Sequence, residues 1–187
     1  KHFPGDPARC ISLMEELGRR VSADGRAEKT TVVIAFAETA TAIGAVVSGF
    51  FHDCFFVTTT RERLPDWATA ISFEERHSHA PKHWLCVRDE EIFRRASQVV
   101  IVDDEFTTGS TAVNLIRALD GCLAPQCRIY AASLAASRES AERFRSAGVT
   151  LAALASTDDL RHGEAPESFS SDRPPGAGQH SVFQRYL

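Results

Sequence analysis

Near the middle of the chain stands the run Val99-Val100-Ile101-Val102-Asp103-Asp104-Glu105-Phe106-Thr107-Thr108-Gly109-Ser110-Thr111. It opens with a short β-branched apolar segment, which is typical of a buried strand. Adjacent acids follow, and then a turn rich in hydroxyl groups and glycine that leads into a helical pattern. The run therefore predicts a strand, a turn and the start of a helix, in that order.

Each part of this run has a chemical use. The carboxylates of Asp103 and Asp104 can accept hydrogen bonds from the two hydroxyls of a ribose, recruit magnesium and favour a cationic sugar transition state. The turn offers backbone N–H groups and hydroxyls at a helix N-terminus, which suits a phosphate. Gly109 allows close backbone approach. Two acids alone would usually be a solvated strand end, but the complete run favours a site for ribose 5-phosphate.

The rest of the chain alternates short apolar runs with helical patterns. The runs are apolar on both sides, which suits buried parallel strands. We expect strands at residues 31–36, 55–59, 98–102, 128–134 and 149–154, and helices at residues 7–21, 39–49, 89–96, 110–119 and 139–147. The alternation predicts an α/β fold with an open, mainly parallel five-stranded sheet and helices on both faces. Ligands bind such sheets outside the carboxyl ends of the strands.

Two segments interrupt this alternation. Residues 60–82 are polar and aperiodic, and we predict a long functional loop there. Residues 158–180 are rich in serine, proline, glycine and charge. We therefore predict one domain over residues 1–157 and a C-terminal tail over residues 158–187 that forms a hood or is partly disordered.

The amino-acid composition argues against several classes of protein. The formal net charge of -4 argues against a large basic surface for nucleic acid. The apolar runs are far too short to cross a bilayer. The five cysteines are odd in number and include no Cys-x-x-Cys pair, which favours a reducing compartment. We expect a cytoplasmic protein that binds neither nucleic acid nor membrane.

The central run resembles the phosphoribosyl-diphosphate signature of type I phosphoribosyltransferases, in which apolar residues precede two acids and a Thr-x-Gly-(Ser/Thr)-Thr loop. The resemblance implies the fold of that family and Mg²⁺-dependent transfer of ribose 5-phosphate from 5-phosphoribosyl-1-diphosphate to a nitrogen nucleophile. It implies that Asp103 and Asp104 hold the ribose hydroxyls and, through water or substrate, the magnesium ion. The other substrate contacts that it implies in this run are Glu105, Phe106, Thr107, Thr108, Gly109, Ser110 and Thr111.

The segment after the first predicted strand supports the resemblance. Family members bind diphosphate there through backbone amides at a helix start, and this place holds Ala37, Glu38, Thr39 and Ala40. Glu38 is a departure, since an acid near diphosphate is unfavourable unless it faces magnesium or the nucleophile. An ordinary strand–helix junction with Thr39 as N-cap explains the segment equally well.

Basic residues follow the second predicted strand. Arg61 resembles the diphosphate contact of orotate-type members, and its forked guanidinium suits paired phosphate oxygens. The predicted loop after it matches the family's mobile catalytic loop, which closes over the site and excludes water. Within that loop Lys82, His77 and His79 are our candidates for contacts to the leaving group.

A metal site is the alternative for the histidines of this loop. His77, His79 and His83, with Cys86 as a fourth ligand, could bind zinc. Their spacing matches no standard structural site, so contacts to phosphate are favoured, because imidazoles also bind oxyanions.

Other departures concern the acceptor. In purine-salvage members an acid stands where this chain has Thr107, so the resemblance favours an orotate-like or atypical nucleobase-like acceptor.

Residues 1–4 and 72–80 are similar to phosphoribosyltransferase-like proteins encoded in bacterial tellurium-resistance-type operons, which implies a nucleoside- or nucleotide-like product. Related proteins are often dimers, so a homodimer is expected.

Two competing functions use the same pocket. One is a regulatory protein that senses phosphoribosyl diphosphate or a nucleotide without converting it, because a fold alone does not fix a function. The other is an enzyme that runs in reverse and cleaves a nucleotide with diphosphate. A regulator of transcription would favour a basic face, which the sequence does not clearly show, so the forward enzyme leads.

Overall fold

The computed structural model describes residues 6–62, 69–74 and 82–160. Seven strands form one sheet: β1 (Thr31–Ala35), β2 (Cys54–Thr60), β3 (Thr69–Glu74), β4 (Lys82–Val87), β5 (Gln98–Phe106), β6 (Arg128–Ala136) and β7 (Thr150–Ser156). Their order is β3-β4-β2-β1-β5-β6-β7. The helices are α1 (Pro7–Ser22), α2 (Thr41–Ser48), α3 (Glu91–Arg95), α4 (Ser110–Ala118), α5 (Arg138–Ser146) and α6 (Thr157–Leu160).

All five predicted strands are confirmed, and together they form the parallel part of the sheet, as β2, β1, β5, β6 and β7. The sheet nevertheless has two more strands than predicted. β3 and β4 form an antiparallel hairpin that joins the end of β2, where Thr59 pairs with Leu85 and Thr60 with Trp84. These strands alternate between buried and more exposed positions. A search for runs apolar on both sides therefore overlooks them.

Helices cover both faces of the sheet, as predicted. α1 contacts α2, and α2 lies against β1 and β2. α4 contacts α5, and α5 lies against β6 and β7. The longer helices turn buried residues to the sheet, such as Ile43 and Val47 of α2 or Ala112 and Leu115 of α4. The short helix α6 was not predicted, because it begins where the sequence turns polar.

The topology brings several chain segments to one edge of the sheet. Since β1, β2 and β5 are parallel, their carboxyl ends meet there. The loop after β1 leads into α2, and the turn after β5 leads into α4. Two helix N-termini and the end of β2 are therefore neighbours at this edge.

Within the described ranges, no helix is long and apolar enough to cross a membrane.

Candidate active site

The acids of the central run lie inside a strand rather than after one. β5 continues to Phe106, four residues beyond the predicted end, because β6 is equally long. Asp103 pairs with Ser133 and Glu105 with Ala135. Successive side chains of a strand point to opposite faces. Asp103 and Glu105 therefore lie on one face of the sheet and Asp104 on the other.

The turn after β5 is constrained by its backbone. Gly109 has φ 69°, in the left-handed region. A Cβ at this position would lie 3.0 Å from Cζ of Phe144, a fully buried side chain of α5. Phe144 also packs edge-on against Phe106, with ring centroids 4.9 Å apart. The turn needs glycine for its conformation and for its closeness to α5.

Hydrogen bonds hold the same turn. Ser137, the N-cap of α5, donates its hydroxyl to the carbonyl oxygen of Thr107 and its N–H to the carbonyl oxygen of Phe106, the latter at 2.9 Å. Thr108 Oγ1 donates to Ser110 Oγ at 3.0 Å. The turn is thus tied to the start of α5 and to its own helix.

A cavity of about 160 Å³ lies over this turn. It is lined by Asp103, Glu105, Phe106, Thr107, Thr108, Gly109, Ser110, Thr111 and Ala112. The backbone N–H groups of Thr108, Gly109 and Thr111 have no acceptor among the described residues. Free N–H groups at a helix N-terminus bind anions. The structure therefore brings the residues of the predicted phosphate turn together around one small polar space.

The loop after β1 is held by two threonine hydroxyls. The N–H of Ala37 donates to Oγ1 of Thr59, which is buried at the end of β2, at 2.9 Å. Oγ1 of Thr39 donates to Oδ1 of Asp104 at 3.1 Å. The peptide bond between Ala37 and Glu38 is cis. These contacts bring the loop directly against the acids of β5.

The contact of Thr39 also corrects one interpretation of the sequence. α2 begins at Thr41 with Ala40 as N-cap, and no side chain caps it. The alternative of an ordinary junction capped by Thr39 is therefore wrong, because the hydroxyl of Thr39 reaches Asp104 instead. In the described part of the chain, the N–H groups of Glu38 and Thr39 have no acceptor.

Basic side chains stand beside this loop. Arg61 follows β2, two residues after Thr59, and is exposed. Lys82 begins β4, which is antiparallel to β2 and pairs with its last residues, so Lys82 lies at the same edge and is also exposed. Within residues 6–62, 69–74 and 82–160, neither side chain makes a hydrogen bond or an ion pair. Both cations are available to an anion at this edge.

Of the three histidines considered as metal ligands, the structure describes only His83. His83 is 3% exposed and stacks on Phe73 at 5.3 Å between ring centroids, and Phe73 packs on Phe36 at the end of β1. His83 therefore belongs to the packing of the hairpin. His77 and His79 lie outside the described residues, as do residues 75–81 as a whole. Among the described side chains, no group of three His, Cys, Asp or Glu is placed to hold a metal.

The comparisons agree with this geometry. A family model described as Phosphoribosyl transferase matches residues 1–161. The chain belongs to the phosphoribosyltransferase family. Its members are enzymes of the glycosyltransferase type, and the resemblance inferred from the central run is confirmed. The narrower likeness to proteins of tellurium-resistance-type operons stays a prediction.

Solved phosphoribosyltransferases share the fold. The adenine phosphoribosyltransferase of Rhodothermus marinus has 19% identity and a TM-score of 0.59, covering 81% of each chain. That of Trypanosoma brucei, in complex with AMP, pyrophosphate and ribose-5-phosphate, has 15% identity and a TM-score of 0.59 over 89% of this chain and 75% of its own. The orotate phosphoribosyltransferase of Aeropyrum pernix has 19% identity and a TM-score of 0.51 over 84% and 79%. No curated protein matches the chain in sequence.

The carboxylates of Asp103 and Asp104 offer oxygen atoms of the kind that magnesium prefers. Mg²⁺ is usually held by one or two carboxylates together with substrate phosphates and water. Asp104 uses Oδ1 to accept from Thr39, and Oδ2 has no partner among the residues described. Asp103 is half-buried on the other face of the strand. The donor set therefore fits an ion held partly by the substrate.

Three residues that position the site were not among the predicted ones. Thr59, Ser137 and Phe144 hold the loop after β1 and the turn after β5 from other parts of the chain. Thr59 lies in a run of threonines at a predicted strand end, which was the only local signal. Ser137 and Phe144 lie 30 and 35 residues beyond Thr107 and Gly109, so no spacing within the central run points to them.

Proposed function

We propose that this phosphoribosyltransferase uses Mg²⁺ to transfer ribose 5-phosphate from 5-phosphoribosyl-1-diphosphate to a nitrogen nucleophile, with release of diphosphate. The observation that carries the proposal is the hydrogen bond from Thr39 to Asp104. It joins the free N–H groups of the loop after β1 to the acids that precede the turn after β5. Groups suited to diphosphate, ribose and phosphate thus follow one another along a single edge of the sheet.

Each part of 5-phosphoribosyl-1-diphosphate has its own set of binding groups in the protein. The free N–H groups of the turn, beside the cavity of about 160 Å³, bind the 5-phosphate. Asp103 and Asp104 accept from the ribose hydroxyls at the carboxyl end of β5. The N–H groups of Glu38 and Thr39 bind the diphosphate. In keeping with this assignment, the Trypanosoma brucei enzyme of the same fold was crystallised with AMP, pyrophosphate and ribose-5-phosphate.

The reaction breaks the bond from C1 of the ribose to the diphosphate oxygen and forms a bond from C1 to nitrogen. The carboxylates of Asp103 and Asp104 lower the energy of an oxocarbenium-like transition state, because positive charge develops on the ribose ring beside them. Arg61 and Lys82 offset the negative charge of the departing diphosphate. A bound Mg²⁺, held by Asp103 and Asp104 through water or substrate, would supply further positive charge to the leaving group.

The acceptor is a nucleobase-like molecule. The solved relatives named above act on adenine and on orotate. Thr107 stands where purine-salvage members have an acid, which favours an orotate-like or atypical base over a 6-oxopurine. His77 and His79 stay candidates for contacts in the closed site, and the homodimer stays an expectation.

Calorimetry with 5-phosphoribosyl-1-diphosphate and MgCl₂ tests the site. We expect magnesium-dependent binding that is at least about a hundredfold weaker in Asp103→Asn/Asp104→Asn, since each of two hydrogen bonds to a charged group contributes about 1.5–3 kcal/mol. Asp120→Asn, at an exposed acid in the turn after α4, is the control and should bind like the wild type. An intact, folded protein that shows no binding at millimolar ligand contradicts the proposal.

Diphosphate release separates the enzyme from a sensor. The protein is incubated with 5-phosphoribosyl-1-diphosphate, MgCl₂ and a panel of nucleobases that includes orotate and adenine. We expect release that depends on one base and that is lost in the double variant. Tight binding without release for any base would favour the regulatory protein. Release of free base from a nucleotide plus excess diphosphate, with consumption of diphosphate and no release of diphosphate in the forward assay, would indicate the reverse reaction as the favoured one.

A further inference from the structure

A second polar cavity lies between α4 and α5, on the face of α4 that is turned away from the sheet. Its volume is about 250 Å³. It is lined by Ser110, Val113, Asn114 and Arg117 of α4, by Arg143 and Ser146 of α5, and by Ala147. The residues of α4 are spaced by three and four positions and so form one stripe along the helix. We call this cavity the α4–α5 groove.

Arg143 lines the groove with a guanidinium that is paired at one nitrogen. Its Nη2 donates to Oε1 of Glu139 at 2.9 Å. Its Nε is buried and has no acceptor among the described residues. Because Nε has almost no accessible surface, the groups of Arg143 that a ligand in the groove can reach are the outer N–H groups of its guanidinium.

Arg117 adds a second guanidinium to the same groove. It is exposed, and it makes no ion pair or hydrogen bond through its side chain within the described ranges. Glu139 offsets the charge of Arg143, so Arg117 leaves the groove with a positive charge that is not offset by an ion pair. Two guanidinium groups facing one space are suited to a phosphate, whose oxygens accept from their forked N–H groups.

The groove is close to the proposed 5-phosphate site but distinct from it. Ser110 lines both cavities. Arg117 lies seven residues further along α4, which corresponds to about 10 Å along the helix axis. Phe144, the neighbour of Arg143, packs against the position of Gly109. An anion beside the two arginines would therefore contact the helices that support the phosphate turn without occupying that turn.

We propose that the α4–α5 groove is a second binding site for a phosphate group, held by Arg117 and Arg143. The ligand is either free inorganic phosphate or the phosphate of a nucleotide, because both present the same oxygens. This site does not depend on the transferase reaction proposed above.

Nuclear magnetic resonance can observe the groove directly. Inorganic phosphate is titrated into the ¹⁵N-labelled full chain at constant ionic strength, with chloride as the reference anion. We expect a saturable shift of the Nε–H signal of Arg143, together with the amides of Ser146 and Ala147. The signal is assigned by its loss in Arg143→Lys. Shifts confined to residues 107–111, or equal shifts with chloride, would overturn the proposal, whereas the transferase proposal is judged separately by diphosphate release.

Matched variants test the two arginines. Arg117→Gln should weaken phosphate binding in the groove about tenfold, the loss of one charged contact. Arg145→Gln removes the same charge from an exposed position of α5 outside the groove and should leave the affinity unchanged. Arg117 is exposed and its side chain makes no hydrogen bond or ion pair with a described residue, so Arg117→Gln keeps the test valid if Arg143 variants unfold. Equal affinity of the Arg117→Gln and Arg145→Gln proteins would also overturn the proposal.

A third titration identifies the source of the phosphate. AMP replaces inorganic phosphate in the same experiment. Binding of AMP at the groove more than about tenfold tighter than phosphate indicates a nucleotide ligand, and similar affinities indicate that the phosphate group alone is recognised.

Discussion

The turn after β5 and the loop after β1 serve the same edge of the sheet but are held in different ways. The turn is fixed by a left-handed glycine, by an aromatic side chain and by two hydrogen bonds from Ser137. The loop is fixed by one hydrogen bond to Thr59 and by another from Thr39 to Asp104. The proposed phosphate half of the site is thus preformed by backbone and packing, whereas the proposed diphosphate half depends on single hydroxyl groups.

The largest effect is expected where packing and backbone both act. Gly109→Ala places a side chain at φ 69° and against Phe144. We expect a loss of about 2–3 kcal/mol in the free energy of unfolding, measured with urea, from strained backbone and slight overpacking. Affinity for ribose 5-phosphate should fall roughly tenfold, because the turn moves.

A second glycine allows the cost of backbone strain to be measured without the cost of overpacking. Gly121 has φ 84°, and a Cβ added at this position would meet no other atom within 4 Å. Gly121→Ala therefore carries only the backbone cost, about 1–2 kcal/mol, and should leave ligand affinity unchanged. If both variants lose the same stability and neither loses affinity, packing against Phe144 does not shape the turn.

The loop after β1 is predicted to depend on one buried hydroxyl, that of Thr59. Thr59→Val removes the acceptor of the Ala37 N–H and should lower the free energy of unfolding by about 1–3 kcal/mol. Binding of 5-phosphoribosyl-1-diphosphate should weaken roughly tenfold, while binding of ribose 5-phosphate should not change. Calorimetry with both ligands measures the difference.

The conservative change at the same position is the control. Thr59→Ser keeps the hydroxyl, so it should retain the affinity for 5-phosphoribosyl-1-diphosphate. Equal weakening of both ligands in Thr59→Val would show that the two halves of the site are not independent, which contradicts the comparison above.

The turn after β5 was predicted more fully from the sequence than the loop after β1. The reason is the distance along the chain between the residues that form each of them. The turn is formed by neighbouring residues, so its chemistry could be inferred from one contiguous run. The loop depends on contacts between residues 22 and 65 positions apart, and no local pattern indicates them. The parallel strands were predicted because each is an apolar run, and β1 and the first five residues of β5 are buried throughout. The hairpin was not, because its strands alternate in burial, and the end of β5 was misplaced because acids are rare inside strands.

A smaller effect is expected at the exposed contact of the loop. Thr39→Val removes the hydrogen bond to Asp104, and the free energy of unfolding should change by less than about 0.5 kcal/mol, because Thr39 is exposed. Affinity for 5-phosphoribosyl-1-diphosphate should fall by about threefold to tenfold. Thr41→Val, at the exposed start of α2, should bind like the wild type. If both variants bind equally well, the contact of Thr39 does not align the loop with the acids.

The smallest effect on the site is expected from Cys54, because it begins β2 at the edge opposite the ligand. Burial, with a minor contribution from Asp53, raises the pKa of the Cys54 thiol from 9.0 to about 11. The folded chain therefore keeps a proton that the unfolded chain loses, so the contribution to stability is complete below pH 9 and disappears as the pH rises to about 11. Because the thiol is partly exposed, we expect this loss to stay near 1 kcal/mol or below.

Urea unfolding between pH 7 and pH 11 should show this loss of stability in the wild type but not in Cys54→Ala. Both proteins should bind 5-phosphoribosyl-1-diphosphate equally at pH 8. A weaker Cys54→Ala complex at pH 8 would mean that β2 transmits a change at its amino end to Thr59, and the diphosphate half would then depend on the whole strand rather than on one hydroxyl.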